Sequence, residues 1–327
     1  MKHFDNKVAA ITGAGSGMGR ALAVQLAGAG CHLALADKNA PGLAETERIV
    51  RAIAPKVRVS TRVLDVGERD AVFAWADETA LAHGRVNLIF NNAGVALSST
   101  IDGMSYSDLE WIVNINFWGV VHGTKAFLPY LKASGDGHIV NTSSVFGLFA
   151  QPGMSAYNAT KYAVRGFTES LRQELDMMKC GVSATCVHPG GIRTNIAQSS
   201  RVAPNMVGFM VASEQHGKDE FEKFFITTAD DAARTILNGV RRNARRVLIG
   251  RDARMADWLA RVLPAAYQSL VVREARREAG KARKRARREQ SNELINGLAN
   301  GLTSGTNAAR EQARNNNTGN SNQGETA

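Results

Sequence analysis

The chain of 327 residues is 44% hydrophobic and 21% charged, enough apolar material for a sizeable core in one large domain or two small ones. No apolar run is long enough to span a bilayer, and the first residues carry no signal-peptide pattern, so a soluble, non-secreted protein is expected. Three cysteines, Cys31, Cys180 and Cys186, rule out a disulfide-stapled scaffold; they have no metal-ligand spacing and fit a reducing cytoplasm. The net charge of +10 is concentrated, because residues 271–289 hold nine Lys and Arg against three Glu. The body is only mildly basic, which argues against a nucleic-acid-binding enzyme.

Between residues 7 and 249, β-branched runs alternate with longer amphipathic stretches, the pattern of βα units around a parallel sheet. Seven strands are expected at 8–12, 32–36, 57–64, 88–91, 138–142, 183–188 and 246–249. Helices are expected at 17–29, 69–83, 107–132, 155–178 and 229–242. The fold class is therefore α/β, a doubly wound, seven-stranded parallel sheet with helices on both faces. Residues 197–227 break the rhythm with a Met-, Phe- and Val-rich insertion, where a lid could sit. Two more helical patterns follow, at 256–262 and from Tyr267 through the basic run. Residues 291–327 are rich in Asn, Gly, Ser and Thr and are expected to be disordered. This gives one domain over 1–270, a basic helical extension over 271–290 and a low-complexity tail.

Thr12-Gly13-Ala14-Gly15-Ser16-Gly17-Met18-Gly19 follows the first strand and opens the first helix. Glycines let backbone turn sharply and approach a ligand, while the helix terminus offers unpaired N–H groups to a pyrophosphate. A dinucleotide cradle built on Gly13, Ser16, Gly17, Met18 and Gly19 is expected. Asp37 ends the second strand, 18 residues beyond Gly19; a carboxylate there accepts hydrogen bonds from ribose hydroxyls and repels a 2′-phosphate. NAD is favoured over NADP, with Lys38 the contrary signal.

The spacing Gly-x-x-x-Gly-x-Gly resembles that of the short-chain dehydrogenase/reductase family of the classical type. Leu64-Asp65-Val66 is similar to its adenine-contacting site, which implies contacts from Asp65 and Val66. Asn91-Asn92-Ala93-Gly94 is similar to its Asn-Asn-Ala-Gly motif and implies that Asn92, Ala93 and Gly94 lie along the cofactor. In His188-Pro189-Gly190-Gly191-Ile192-Arg193-Thr194 the resemblance places Ile192 and Thr194 at the nicotinamide, with His188 structural. The likeness covers roughly residues 5–250.

Tyr157 and Lys161 lie four residues apart in a helical pattern, hence on one face. A phenol with a pKa near 10 is a poor base at neutral pH, and a nearby cation lowers that value; Lys161 is expected to make Tyr157 usable as an acid/base group. Ser144 follows the fifth strand at the carboxyl edge of the sheet, where ligands of open α/β folds bind. The family resemblance implies that Ser144, 13 residues before Tyr157, holds the reacting oxygen, with Ser143 the neighbouring alternative. It also implies that Asn116, rather than Asn114, holds a water in the proton relay. Gly153-Met154-Ser155-Ala156-Tyr157 lacks the closing glycine of a hydrolase elbow.

The expected function is NAD-dependent interconversion of a secondary alcohol and a ketone, with Lys161 also holding the cofactor ribose. An apolar substrate wall is expected from Phe146, Phe149, Met154, Met206, Phe209 and Met210, and no metal site is expected. The rivals are an NADP-dependent ketoreductase acting on acyl, lipid or steroid ketones, and a catalytically silent nucleotide sensor. The resemblance implies a homodimer or homotetramer. For the 271–289 run a solvated helix is the preferred reading, and salt-dependent attraction to an anionic lipid surface or to nucleic acid is the rival one.

Overall fold

The computed structural model describes residues 1–284 apart from Gly208, Phe224 and Arg283. The stretch expected to be disordered, 291–327, and the end of the basic run lie outside the described residues. Strands β1 (Val8–Thr12), β2 (His32–Asp37), β3 (Val59–Val63), β4 (Leu88–Asn91), β6 (Gly137–Thr142), β7 (Val182–Pro189) and β9 (Arg246–Ile249) form one parallel sheet in the order β3-β2-β1-β4-β6-β7-β9. The central strands are buried on both faces, which is why they read as near-continuous apolar runs. The order reverses between β1 and β4, and the crevice beyond their carboxyl ends is where such sheets bind ligands.

Helices cover both faces. On one side α1 (Gly17–Gly28) and α2 (Ala40–Ile53) bury Leu22, Leu26, Leu43 and Val50 over β1 and β2, and α8 (Ala229–Arg241) buries Ile236 and Val240 against α1, β7 and β9. On the other, α3 (Arg69–His83), α5 (Gly119–Ala133) and α6 (Ser155–Met178) bury Trp75, Phe127, Leu131 and Leu171 against β4 and β6. Each such side chain contributes about 1.5–3 kcal/mol when fully buried. These two cores fix the strand ends that carry the site.

The structure departs from the sequence-based expectation in four places. Residue Leu64, expected within the third strand, lies past its end. The helix α2, not singled out in the sequence, is started by Asn39, whose side chain accepts from the Gly42 N–H, with Pro41 in the first turn. The helix expected at 107–132 is interrupted: α4 (Tyr106–Val113) passes through one π-helical turn, Asn114–Trp118, into α5. Such turns insert a residue into the ladder and re-aim the side chains beside it. The insertion contains strand β8 (Arg201–Val202), paired with β5 (Leu97–Ser98), and helix α7 (Glu214–Lys223). The helix α9 (Arg251–Val262) follows the sheet, and a last helix, α10, spans 267–282. Among the described residues, no helix is long and apolar enough to cross a membrane.

Candidate active site

The glycine loop between β1 and α1 forms the floor of a cavity of about 360 Å³ lined by Gly13, Ser16, Gly17, Met18, Asp37, Asp65, Val66, Asn92, Ala93, Gly94 and Thr194. Gly13 has φ +66°, and a side chain there would meet the Ala93 backbone at 2.9 Å. Gly17, at φ +51°, lies so close to Thr194 that a Cβ would stand 2.9 Å from its methyl. Ser16 precedes α1 in extended conformation and its hydroxyl caps nothing, so the first N–H groups of the helix face the cavity without a side-chain partner. Gly19 does not line the cavity. A Cβ there would fall 2.0 Å from the Gly13 carbonyl, so its role is close packing of helix on strand.

At the far end, Asp37 Oδ2 accepts the Gly15 N–H at 2.8 Å and Oδ1 accepts the Asn39 N–H at 2.8 Å. Arg20 is turned away from the cavity and donates to the Gly15 and Gly42 carbonyls. Lys38 is exposed, with Nζ 3.0 Å from Asp65 Oδ2. Asn92 donates to the Thr12 carbonyl at 3.1 Å, while its own Oδ1 is buried without a partner among the described residues. A polar oxygen left over beside a glycine cradle and a helix N-terminus matches the donors and acceptors of a dinucleotide. The residues present therefore fit that group.

A second cavity of about 300 Å³ shares Met18, Asn92, Gly94, Thr194 and Ile196 with the first and contains Ser144, Tyr157 and Lys161. Tyr157 comes from the first turn of α6 and Lys161 from the second, and the buried face of that helix (Ala156, Thr160, Val164, Thr168, Leu171, Leu175) follows the 3.6-residue period. Lys161 is only 3% exposed; its Nζ donates to the Thr142 carbonyl at 3.1 Å and lies 5.6 Å from the centre of the Tyr157 ring. Asn116, set by the π turn, is fully buried. Its Oδ1 accepts the Val95 N–H at 2.8 Å and its Nδ2 donates to the Val95 carbonyl at 2.9 Å. Gly94 leaves the gap between Asn116 and Lys161 open: a Cβ there would stand 3.2 Å from Asn116 Oδ1 and 3.4 Å from Lys161 Nζ.

The geometry separates the residue pairs that sequence left open. The Ser143 hydroxyl donates to the Lys161 carbonyl at 2.8 Å, which ties β6 to α6. Ser144 instead lines the second cavity with Tyr157, and its hydroxyl accepts the Phe146 N–H at 3.1 Å. Asn114 is exposed near Gly67, far from the role given to Asn116. His188 is buried, and its Nδ1 donates to the Ser144 carbonyl at 3.0 Å.

One expectation is corrected. Burial pushes the Tyr157 phenol up to about 12, with the Ser144 hydrogen bond acting in the opposite sense. Burial also pushes Lys161 down to about 8. Desolvation sets the direction of both shifts.

The substrate wall is also corrected. Phe146 and Phe149 line the second cavity, their rings 5.6 Å apart. Met154 is buried behind Tyr157 with Leu97 and Ile112. Met206 and Met210 pack against Gly153 on the turn before α6, and Phe209 is exposed. In their place α7 supplies Phe221, the segment after it Phe225, and α9 supplies Met255 and Ala256. Tyr267, at the start of α10, holds the 146–150 loop: its hydroxyl accepts the Ala150 N–H at 3.1 Å and its ring lies 5.7 Å from Phe149.

Residues 7–205 match the family described as short chain dehydrogenase. The chain belongs to the short-chain dehydrogenase/reductase family. Its relatives include a putative oxidoreductase, SadH, of Mycobacterium tuberculosis, 49% identical over 83% of this chain and 96% of that protein. Another is the levodione reductase of Leifsonia aquatica, 34% identical over 60% of this chain and 73% of that one. Among solved structures, a short-chain dehydrogenase/reductase from Burkholderia phymatum in complex with NAD is 33% identical, with TM-score 0.74 over 82% of this chain and 97% of that one. The chain is an oxidoreductase of this family, and the cavity above the glycine loop lies at the topological switch point of its sheet.

For a family member the wall residues from α7 and α9 carry no motif. Phe221 and Phe225 are four apart at the end of a short helix, their rings 5.1 Å apart, and nothing in that spacing announces a cavity more than sixty residues back along the chain at Tyr157. Lys161→Ala is expected to raise the NADH dissociation constant and to lower turnover by about 10²-fold or more, because one buried ammonium is assigned both the ribose and the tyrosine. Titration of NADH fluorescence beside steady-state rates checks this; an unchanged dissociation constant contradicts the ribose role.

Proposed function

We propose that this oxidoreductase uses NAD to interconvert a secondary alcohol and a ketone on an apolar substrate. The observation that carries the reading is the convergence of Ser144, Tyr157 and Lys161 in a cavity walled by Phe146, Phe149, Phe221, Phe225 and Met255. Gly13, Ser16, Gly17, Met18, Asp65, Val66, Asn92, Ala93, Gly94, Ile192 and Thr194 hold the cofactor, Asp37 takes its adenosine ribose and Lys161 its nicotinamide ribose. A nicotinamide dinucleotide supplies hydride exchange when bound. Ser144 holds the substrate oxygen, and Tyr157 gives that oxygen a proton in reduction or takes one in oxidation. Lys161 and a water held at Asn116 connect the phenol to solvent. The apolar walls orient the substrate and exclude water.

Support for NAD comes from the Asp37 carboxylate at the adenosine end and from Arg20, whose guanidinium is spent on the Gly15 and Gly42 carbonyls. Lys38 favours the rival NADP-dependent ketoreductase, and its pairing with Asp65 neutralises part of that preference. Assays of aliphatic, cyclic and steroidal secondary alcohols with each cofactor test the reading: faster turnover with NADP overturns it. Asp37→Ala is expected to shift the ratio of kcat/KM for NAD over NADP by about tenfold toward NADP, through lost ribose hydrogen bonds and lost repulsion. An unchanged ratio contradicts the role of Asp37.

A further inference from the structure

The helix α9 presents its apolar side outward. Met255 is 68% exposed, Trp258 62% and Val262 53%, and residues three and seven apart share a face. The opposite side holds buried Ala253 and Asp257, which pairs with Arg246 and Arg261. Leu263, at the end of α9, and Leu270 and Val272 in α10 are also exposed. Side chains of this size are seldom left together in water unless a partner covers them.

The surroundings identify the partner's chemistry. Among the described residues from 251 to 284 stand eight Lys and Arg against four Asp and Glu, and Arg251, Arg254, Arg273 and Arg276 make no ion pair with the described residues. A tryptophan and aliphatic side chains flanked by arginines is the composition of a helix that lies in a membrane interface. A second copy fits poorly, because a two-fold contact through this face would press its cationic segment against itself. Nucleic acid would match the arginines and leave Met255, Val262 and Leu263 in water.

We infer that α9 and the start of α10 dock on an anionic lipid surface, with Trp258, Val262 and Leu263 entering the headgroup boundary and the arginines meeting lipid phosphates. Met255 also lines the substrate cavity, so docking sets the cavity rim against the bilayer. This gives an apolar substrate a path that avoids water. The docking stands on the exposed face alone; only that delivery role rests on the proposed reaction.

The test uses the full chain in sedimentation with vesicles of phosphatidylcholine alone and of phosphatidylcholine mixed with phosphatidylglycerol. Binding to the anionic vesicles is expected to be at least about tenfold tighter and to weaken with salt. The double variant Trp258→Ser, Val262→Ser is expected to lose about tenfold in that binding, while keeping its circular dichroism and its turnover of a short water-soluble alcohol. Equal binding to both vesicle types overturns the inference. So does unchanged binding by the double variant, which would leave attraction to the basic run alone. A double variant whose oligomeric state changes in velocity sedimentation while its vesicle binding does not assigns the face to a second copy, and likewise overturns it.

Discussion

Tyr157→Phe is expected to lower turnover on the order of 10³-fold while leaving NADH affinity nearly unchanged. The substitution removes one hydroxyl from a ring held between Phe146, 6.1 Å away, and the buried cluster of Leu97, Ile112 and Met154. The ring keeps its packing, so the fold and the cofactor cradle stay intact. The wild-type pH profile gives a companion result. A phenol pushed up to about 12 by burial is protonated across the neutral range, the form needed to reduce a ketone. Oxidation needs the deprotonated form, so its rate is expected to climb with pH through the neutral range while reduction stays nearly flat. Steady-state rates in both directions check this; substantial residual activity in the variant contradicts the assigned acid/base role.

Acidification is expected to destabilise the protein well before its carboxylates are titrated. Burial holds His138 down at about 3 and His188 down at about 4. An unfolded chain binds these protons near pH 6.5, so between that pH and the folded values the unfolded state carries more protons. Their contribution is complete above about pH 6.5 and is lost as pH falls toward 4. For His188 alone this is on the order of 3 kcal/mol at about 1.4 kcal/mol per unit. The structural reason is visible: Nδ1 of His188 donates to the Ser144 carbonyl and Nε2 is buried without a partner among the described residues, leaving nowhere to place a second proton. His138 Nε2 donates to Thr185 Oγ1 at 2.8 Å, and that hydroxyl donates onward to Ala244. Guanidinium midpoints measured from pH 7 down to pH 4.5 are expected to fall steadily; a flat series contradicts the assignment. Because His188 anchors Ser144, turnover is expected to fail along the same limb.

Much of the fold was legible because its signals are local. Buried parallel strands read as short apolar runs, and the switch between β1 and β4 sits where the glycine loop and Asn92 announce it. Asp37 and the Tyr157–Lys161 pair were legible for the same reason, since spacing along one element fixes which side chains share an end or a face. The π turn at Asn114–Trp118 was not, because the Asn116 side chain it carries is held by partners distant in sequence, the Val95 N–H and the Thr160 hydroxyl. The direction of the Tyr157 shift was not legible either: spacing gives proximity to Lys161, whereas desolvation depends on everything else that closes over the ring. The insertion misled in detail. Its methionines at 206 and 210 looked suited to a cavity, yet the turn at Pro204–Met206 folds them onto Gly153, and Phe221 and Phe225 reach the site instead.

The proposed reaction is hydride exchange between an apolar secondary alcohol and NAD at the Ser144, Tyr157 and Lys161 site. Alcohols from the aliphatic, cyclic and steroidal panel, deuterated at the carbinol carbon, test it most directly when the reduced cofactor is recovered and analysed by mass spectrometry. The label is expected in the reduced NAD produced by the wild-type enzyme, with its formation suppressed in Tyr157→Phe. Reduced cofactor without label, label transferred only to NADP, or no transfer from any alcohol of the panel would contradict it.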